Sequence, residues 1–186
     1  MRPVSGKNNV CGNPITAGRF SRYKEDVRGY TGELTNGVPV LLETNRHTLS
    51  ACVAICVNSG TRDEDDSNAG ISHLIEHALF KGTLNGTNRL TNRQLLTTFE
   101  GGGGDYGAET DREGVMYYAV VPGPYAPLAA EALSTMVTWP AFPSRELEHE
   151  KTVVLGEFKT NRDNPEAYSW DLMGHAIWAG ISEGLH

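Results

Sequence analysis

The sequence at residues 70–83 reads GISHLIEHALFKGT, and it decides the fold that we expect. Its apolar residues recur every three to four positions, which is typical of a helix with one apolar face. Gly70 and Gly82 bracket the segment, and Ser72 is the predicted N-cap because its hydroxyl can accept a hydrogen bond from the first turn. We therefore predict a helix that begins at Ser72 and ends before Gly82.

Three side chains of this predicted helix can act together, because residues three and four positions apart lie on one helix face. His73 and His77 present two imidazoles about one turn apart, and Glu76 lies beside them. Two histidines at this spacing can bind one zinc ion, while the carboxylate deprotonates the water that zinc activates. The simpler alternative is that both histidines are partly buried polar residues without a metal.

A zinc site of this kind needs a third protein ligand. A second helix is predicted over residues 145–161, where Glu150 and Glu157 lie seven residues apart, or two turns on one face. Apolar residues are expected to bury this helix: Val153, Val154 and Phe158. Spacing alone leaves both glutamates open as the third ligand.

The composition narrows the class of protein. A net charge of −7 argues against a nucleic-acid binder, because phosphate contacts need an excess of Lys and Arg. No stretch is long and apolar enough for a membrane span. Cys52 and Cys56 are predicted to be small buried thiols, which suits a reducing compartment. We therefore expect an intracellular protein, in the cytoplasm or the mitochondrial matrix.

The N-terminal residues differ in composition from the rest of the chain. Residues 1–24 carry five basic residues and no acidic one, but glycine and proline interrupt any amphipathic helix. We expect a disordered leader over residues 1–28, with a mitochondrial transit peptide as the alternative. Residues 29–186 are then expected to form a single domain.

The remaining pattern predicts strands that alternate with helices. One strand is predicted directly after the turn at Asn36-Gly37. Two more are predicted over residues 49–57 and 114–121. A further helix is predicted to begin at Thr91, which can form a capping box with Gln94. Another is predicted to have Pro127 as its first residue. The acidic run 63–66 is predicted to be a solvated loop. The expected fold is α+β, a two-layer sandwich of a mixed or antiparallel sheet with helices packed on one face.

Residues 70–83 closely resemble the active-site helix of the pitrilysin/insulinase family, which includes insulin-degrading enzyme and the mitochondrial processing peptidases. The similarity extends over roughly residues 30–168. Further segments that resemble family motifs are residues 36–38, 59–64, 100–102, 108–110, 150–157 and 163–165.

This resemblance implies a role for each acidic residue of the second helix. By position in the motif, Glu157 matches the third zinc ligand, and Glu150 matches an acidic residue that supports the site. The implied activity is that of a zinc-dependent endopeptidase with one zinc ion and Glu76 as the general base. Its implied substrates are short or unfolded peptides, and a peptide is expected to lie beside the strand at residues 114–121.

Three departures from the family pattern are visible. The interval between His77 and Glu157 is a few residues longer than is usual in the family. Gly107 stands where the family usually has Asn before Ala108. Family members also carry a second domain of the same fold, which we expect to be absent from this chain. A homodimer or a partner subunit is then expected to supply it, and the alternative function is a non-catalytic or regulatory subunit.

Overall fold

The computed structural model describes residues 21–22, 29–84 and 89–178. The chain divides into two compact units, residues 1–49 and 50–186. The leader predicted for residues 1–28 lies outside the described residues, apart from Ser21–Arg22. It stays a prediction, as does the single domain over residues 29–186.

The first unit contains a small antiparallel sheet. Its strands are β1 (Ser21–Arg22), β2 (Gly29–Glu33) and β3 (Pro39–Glu43), in the order β1-β2-β3. The turn predicted before β3 is present: Gly37 has a φ of 85° and donates its N–H to the Leu34 carbonyl over 2.9 Å. Glycine adopts this left-handed conformation without the steric cost that a Cβ brings.

Within its described residues, the second unit combines three strands with five α-helices. The strands are β4 (Ser50–Val57), β5 (Asp105–Thr110) and β6 (Val115–Pro122). The helices are α1 (Ile71–Leu79), α2 (Asn92–Glu100), α3 (Ala126–Thr138), α4 (Ser144–Asp163) and α5 (Pro165–Trp178). The strands form an antiparallel sheet in the order β4-β6-β5. The predicted α+β class with an antiparallel sheet is confirmed.

Helices cover one face of this sheet. Successive side chains of a strand point to opposite faces, so β6 buries every second residue, including Tyr117 and Ala119. Phe99 of α2 and Leu133 of α3 are fully buried against these strand residues. The core therefore lies between the sheet and the helices, as the predicted two-layer arrangement requires.

The other face of the sheet corrects one prediction. Cys52 and Cys56 of β4 are exposed rather than buried. In β4 the positions that pack against the core are Val53 and Ile55, and the strand's alternation sends both cysteines to the opposite face. Their small apolar character could not reveal which face the helices would cover.

The start of α1 differs from the prediction in an informative way. The N-cap is Gly70, with a φ of 85°, and not Ser72. The Glu64 carboxylate accepts the Gly70 N–H over 2.6 Å and the Ser72 N–H over 2.7 Å. Glu64 is only 5% exposed, so the prediction of a solvated loop over residues 63–66 is wrong at this residue. A carboxylate is favoured there because the helix N-terminus carries free N–H groups and partial positive charge.

The loop before α1 is joined to the hairpin that follows β5. The Thr61 N–H donates to the Asp111 carbonyl over 3.2 Å, and the Arg62 N–H to the Arg112 carbonyl over 2.9 Å. Gly60 lies so close that an added Cβ would be 2.3 Å from the Asp111 carbonyl oxygen. These backbone contacts bring the end of β5 next to α1.

The predicted starts of α2 and α3 have different outcomes. The capping box of α2 is confirmed, since the Gln94 N–H donates to the Thr91 hydroxyl and the Thr91 N–H donates to the Gln94 side chain. Helix α3 begins one residue earlier than predicted, so Pro127 is its second residue. A proline fits either position, because the N–H groups of a helix's first turn have no partner within the helix.

Helix α4 is much less buried than predicted. Val153 and Val154 are half-buried, but Phe158 is 61% exposed. Glu150 is the one α4 residue that is buried. A charged residue is therefore the buried contact of this helix, beside the half-buried Val153 and Val154.

Several large apolar side chains of α4 and α5 remain exposed. The residues in this group are Leu155, Phe158, Trp170, Leu172, Met173 and Ile177. Among the described residues, no helix combines the length and apolar character that crossing a bilayer would require.

Replacing Glu64 by Ala is expected to destabilise the chain. The change removes the acceptor of two backbone N–H groups at the start of α1 and leaves both without a partner. We expect a loss of about 2–3 kcal/mol in the free energy of unfolding, measured by urea denaturation. Glu131→Ala, at an exposed position of α3, is the control and should stay within about 0.5 kcal/mol of the original chain. Equal urea midpoints for both variants would contradict the capping role.

Candidate metal centre

The two predicted histidines of α1 lie side by side at its surface. Their Nε2 atoms are 3.1 Å apart, and the ring centroids are 4.8 Å apart in an edge-to-face arrangement. The His77 side chain is 19% exposed and the His73 side chain 36%. The helical spacing thus places two nitrogen ligands around one small volume that is open on one side.

The third predicted ligand comes from α4, which packs against α1. Oε2 of Glu157 lies 3.4 Å from His73 Nε2 and 3.5 Å from His77 Nε2. Ligand atoms about 2.0–2.1 Å from a tetrahedral zinc ion are separated by about 3.4 Å. The donor triangle of 3.1, 3.4 and 3.5 Å therefore fits such an ion. The Glu157 side chain is 46% exposed, which leaves room for a fourth ligand from solvent.

Glu150 contacts the opposite side of the His77 ring. Its Oε2 lies 3.0 Å from His77 Nδ1, and its Oε1 lies 2.8 Å from Lys81 Nζ. Because an ionised carboxylate only accepts hydrogen bonds, this contact assigns the ring hydrogen to Nδ1. The Nε2 lone pair of His77 is then free to bind a metal, an arrangement common around zinc.

The charge of Glu150 is stabilised by its partners. Burial raises the pKa of this carboxyl group, but the hydrogen bonds from Lys81 and His77 and their charges outweigh burial. The net effect is a pKa below the usual value for a glutamate. Glu150 therefore stays ionised although it is 4% exposed.

Glu76 faces the same volume as the two imidazoles. His73, Glu76 and His77 each bring one nitrogen or carboxylate oxygen into a cluster whose atoms lie within 4.8 Å of one another. The Thr110 hydroxyl of β5 donates a hydrogen bond to Glu76 Oε2. Burial, with a further contribution from the Glu76 charge, raises the pKa of Tyr117 to about 12. The Glu76 carboxyl group therefore lies next to both imidazoles and close to Tyr117.

Sequence reasoning assigned no role to three residues that shape this site. They are Glu64, Lys81 and Thr110. Glu64 acts on the start of α1 from six residues upstream of Gly70, beyond the range of a local capping motif. Thr110 reaches Glu76 from a strand 34 residues later, which no local spacing could reveal. Lys81 was visible as the first charge after α1, but its partner Glu150 lies far along the chain.

The sheet order corrects the expected place of the peptide. Strand β6 holds most of residues 114–121, and it pairs with β4 on one side and β5 on the other. It is a central strand, so a peptide cannot add beside it. Within the described residues, β5 pairs with β6 alone, so it is an edge strand, and its last residue, Thr110, contacts Glu76.

Gly107 has a clear structural setting on β5. It pairs with Tyr118 of β6, and an added Cβ would lie 2.6 Å from the Tyr118 hydroxyl oxygen and 2.8 Å from Cζ. The Tyr118 ring therefore occupies the space that a larger residue at position 107 would need. A larger residue at position 107 would require the end of the Tyr118 side chain to move.

The geometry can be compared with known proteins. A model of the insulinase family, peptidase family M16, matches residues 39–185. The chain belongs to this family. The family assignment agrees with the resemblance of residues 70–83 and with the metal-binding geometry of α1 and α4.

Relatives in the insulinase family carry related names. An uncharacterised zinc protease of Bacillus subtilis is 34% identical over 158 residues, which cover 85% of this chain and 37% of that protein. An uncharacterised zinc protease of Rickettsia felis is 33% identical over 80% of this chain and 34% of that protein. A probable mitochondrial-processing peptidase subunit beta of Arabidopsis thaliana is 33% identical over 68% of this chain and 23% of that protein. The chain thus spans about a third or less of these relatives.

A solved structure shows the same fold. The crystal structure of pitrilysin superposes with a TM-score of 0.70 at 21% sequence identity. The match covers 79% of this chain and 16% of the pitrilysin chain. The α+β arrangement of an insulinase-family domain is therefore shared with pitrilysin.

Proposed function

We propose that this chain is the metal-bearing part of a zinc-dependent endopeptidase that hydrolyses short or unfolded peptides. One observation carries the proposal: the donor atoms of His73, His77 and Glu157 converge within 3.1–3.5 Å, with Glu76 beside them. The zinc proteases among the relatives support the same class of function. The protein is proposed to bind one ion, through these three residues.

The chemistry follows from the side chains around the ion. A zinc ion held here would supply Lewis-acid chemistry, polarising a peptide carbonyl and acidifying water. Glu76 accepts the proton of the attacking water and later delivers it to the leaving amine. Thr110 occupies Oε2 of Glu76, so the other carboxylate oxygen is the one available for the proton. Glu150 supports the site by orienting His77 and does not itself contact the reacting groups.

The peptide is proposed to bind along β5. An extended peptide that adds to an open strand edge gains main-chain hydrogen bonds without depending on its sequence, which suits unfolded substrates. Thr110, the last residue of β5, contacts Glu76. A peptide aligned with this strand would therefore run past the proposed general base.

The second candidate is a non-catalytic or regulatory subunit. The exposed apolar residues of α4 and α5, such as Trp170 and Ile177, favour an interaction surface. In either case we propose that a second copy or a partner subunit covers this surface, and in the endopeptidase this partner would complete the enzyme. The intracellular location expected from the sequence stays a prediction.

Replacing Glu157 by Gln is expected to weaken zinc binding strongly. The change removes the charged oxygen that completes the donor triangle. The loss should exceed the roughly 10–100-fold typical of removing a residue that only supports a ligand. Competition with a chromophoric chelator measures the affinity, and Glu148→Gln, an exposed change on the same helix, is the control. Unchanged zinc affinity in Glu157→Gln would exclude this residue as a ligand.

Glu76→Gln is expected to separate zinc binding from cleavage. The amide cannot accept the water proton, so hydrolysis of an unfolded fluorogenic peptide should fall about 10²–10⁴-fold while zinc remains bound. Zinc content and cleavage are measured on the same sample, with zinc removed and restored as the control. If the original chain binds zinc but does not cleave, alone or with a partner, the regulatory-subunit function is supported instead.

Thr110→Val is expected to lower kcat and leave KM and zinc affinity unchanged. Valine keeps the shape of the side chain but cannot donate to Glu76. Losing a hydrogen bond to a charged group corresponds to about 10–100-fold in rate. Thr110→Ser, which keeps the hydroxyl, should recover most of the activity. Full activity of Thr110→Val in steady-state assays would show that the contact has no role in the reaction.

A further inference from the structure

Lys81 follows α1 directly and forms a largely buried ion pair. Its Nζ lies 2.8 Å from Glu150 Oε1, and the side chains of Lys81 and Glu150 are 23% and 5% exposed. A buried charge is costly unless it is paired and its hydrogen-bonding capacity is used. The Lys81 ammonium therefore makes it possible for a carboxylate to occupy this position between α1 and α4.

Both oxygens of Glu150 are held, each by a different partner. Lys81 contacts Oε1, while His77 Nδ1 contacts Oε2. With one oxygen fixed by Lys81, the carboxylate plane cannot rotate freely, so the other oxygen is presented to His77 in one direction. The orientation of the His77 ring is thus linked to Lys81 through Glu150, although Lys81 and His77 do not share an oxygen of that carboxylate.

The same ion pair determines how α4 lies against α1. Glu150 is the buried residue of α4, and the residues around it are half-buried or exposed. Glu157 lies two helical turns further, about 10 Å along the axis. Because Glu150 is the buried residue of α4, a shift of its contact with Lys81 would also move residues two turns further along the same helix. The position of Glu157 is therefore sensitive to the contact between Lys81 and Glu150.

We propose that Lys81 is a positioning residue of the metal centre. Acting through Glu150, it orients His77 and fixes α4 so that Glu157 reaches both imidazoles. This inference rests on the proposed function, because it takes His77 and Glu157 as zinc ligands. It adds a residue that neither binds the ion nor contacts the reacting groups.

The chain offers a matched control. Lys151 Nζ lies 2.7 Å from Glu148 Oε1 on α4, and these side chains are 52% and 73% exposed. Exposed ion pairs of this kind contribute little. Lys151→Met removes a lysine charge from the ion pair with Glu148 and leaves the contacts of Glu150 unchanged.

The first measurement is zinc affinity in the full chain, by chelator competition. Lys81→Met should weaken zinc binding about 10–100-fold, the range seen when a residue supporting a metal ligand is lost. Lys81→Arg, which keeps the charge, should recover most of the affinity, and Lys151→Met should bind as the original chain does. Equal affinity in Lys81→Met and the original chain, or an equal loss in Lys151→Met, would overturn the proposal.

A double-variant cycle tests whether Lys81 acts through Glu150. Glu150→Gln alone should weaken zinc binding, and adding Lys81→Met to it should cost much less than Lys81→Met costs by itself. Residues that form one network show such non-additive effects. Simple addition of the two losses would show that Lys81 acts independently of Glu150 and would overturn the proposed route.

A readout without metal separates this inference from the proposed function. Nitrogen-15 NMR of the zinc-free chain should show His77 protonated at Nδ1, and Lys81→Met should give a mixture of both tautomers. An unchanged His77 tautomer in Lys81→Met would contradict the inference even if zinc affinity fell. In contrast, a chain that binds zinc but cleaves no peptide would contradict the proposed function alone.

Discussion

A charged contact joins the two helices that carry this site, although they are far apart in the sequence. Glu150 of α4 is buried and bound at both oxygens, by Lys81 and by His77. The hydrophobic effect is non-directional, whereas hydrogen bonds and ion pairs require defined distances and directions. The contacts of Glu150 therefore add a directional constraint between α1 and α4, the two helices that bring Glu157 to the imidazoles.

The same region concentrates negative charge in a small volume. Glu76, Glu150 and Glu157 lie around two histidines, and their carboxylates repel one another. Each has a different environment: Lys81 pairs with Glu150, the Thr110 hydroxyl donates to Glu76, and Glu157 is half-exposed to solvent. Within the described part of the chain, a lysine pairs with Glu150 and no lysine or arginine pairs with Glu76 or Glu157, so this cluster of acidic groups favours binding of a positive ion. The electrostatics of the site and its donor geometry therefore agree.

The sequence predicted the features of the site that depend on local spacing. His73, Glu76 and His77 share a face because helical geometry places them there. Glu150 and Glu157 could not be told apart by spacing, because both lie on the same side of α4. In the structure their burial separates them. The family resemblance had already implied these different roles, and the roles themselves remain proposals.

Features that depend on distant contacts were predicted less well. The order of strands placed β6 in the centre, although its own residues read equally well as an edge strand. Strand β5 has a glycine and two acidic residues, so its propensity to form a strand is weak. Glu64 and Thr110 contact α1 from other segments of the chain. The exposure of Cys52 and Cys56 depends on which face of the sheet the helices cover. These properties belong to the tertiary fold.

The close approach at Gly60 has a consequence for natural variation. The backbone of the hairpin after β5 leaves no space for a side chain at position 60. Any larger residue would push this hairpin away, and Thr110, which immediately precedes it, would be drawn from Glu76. Selection should therefore retain glycine at a position that touches neither ion nor substrate. Evolutionary constraint on this protein thus extends well beyond the residues that carry out its chemistry.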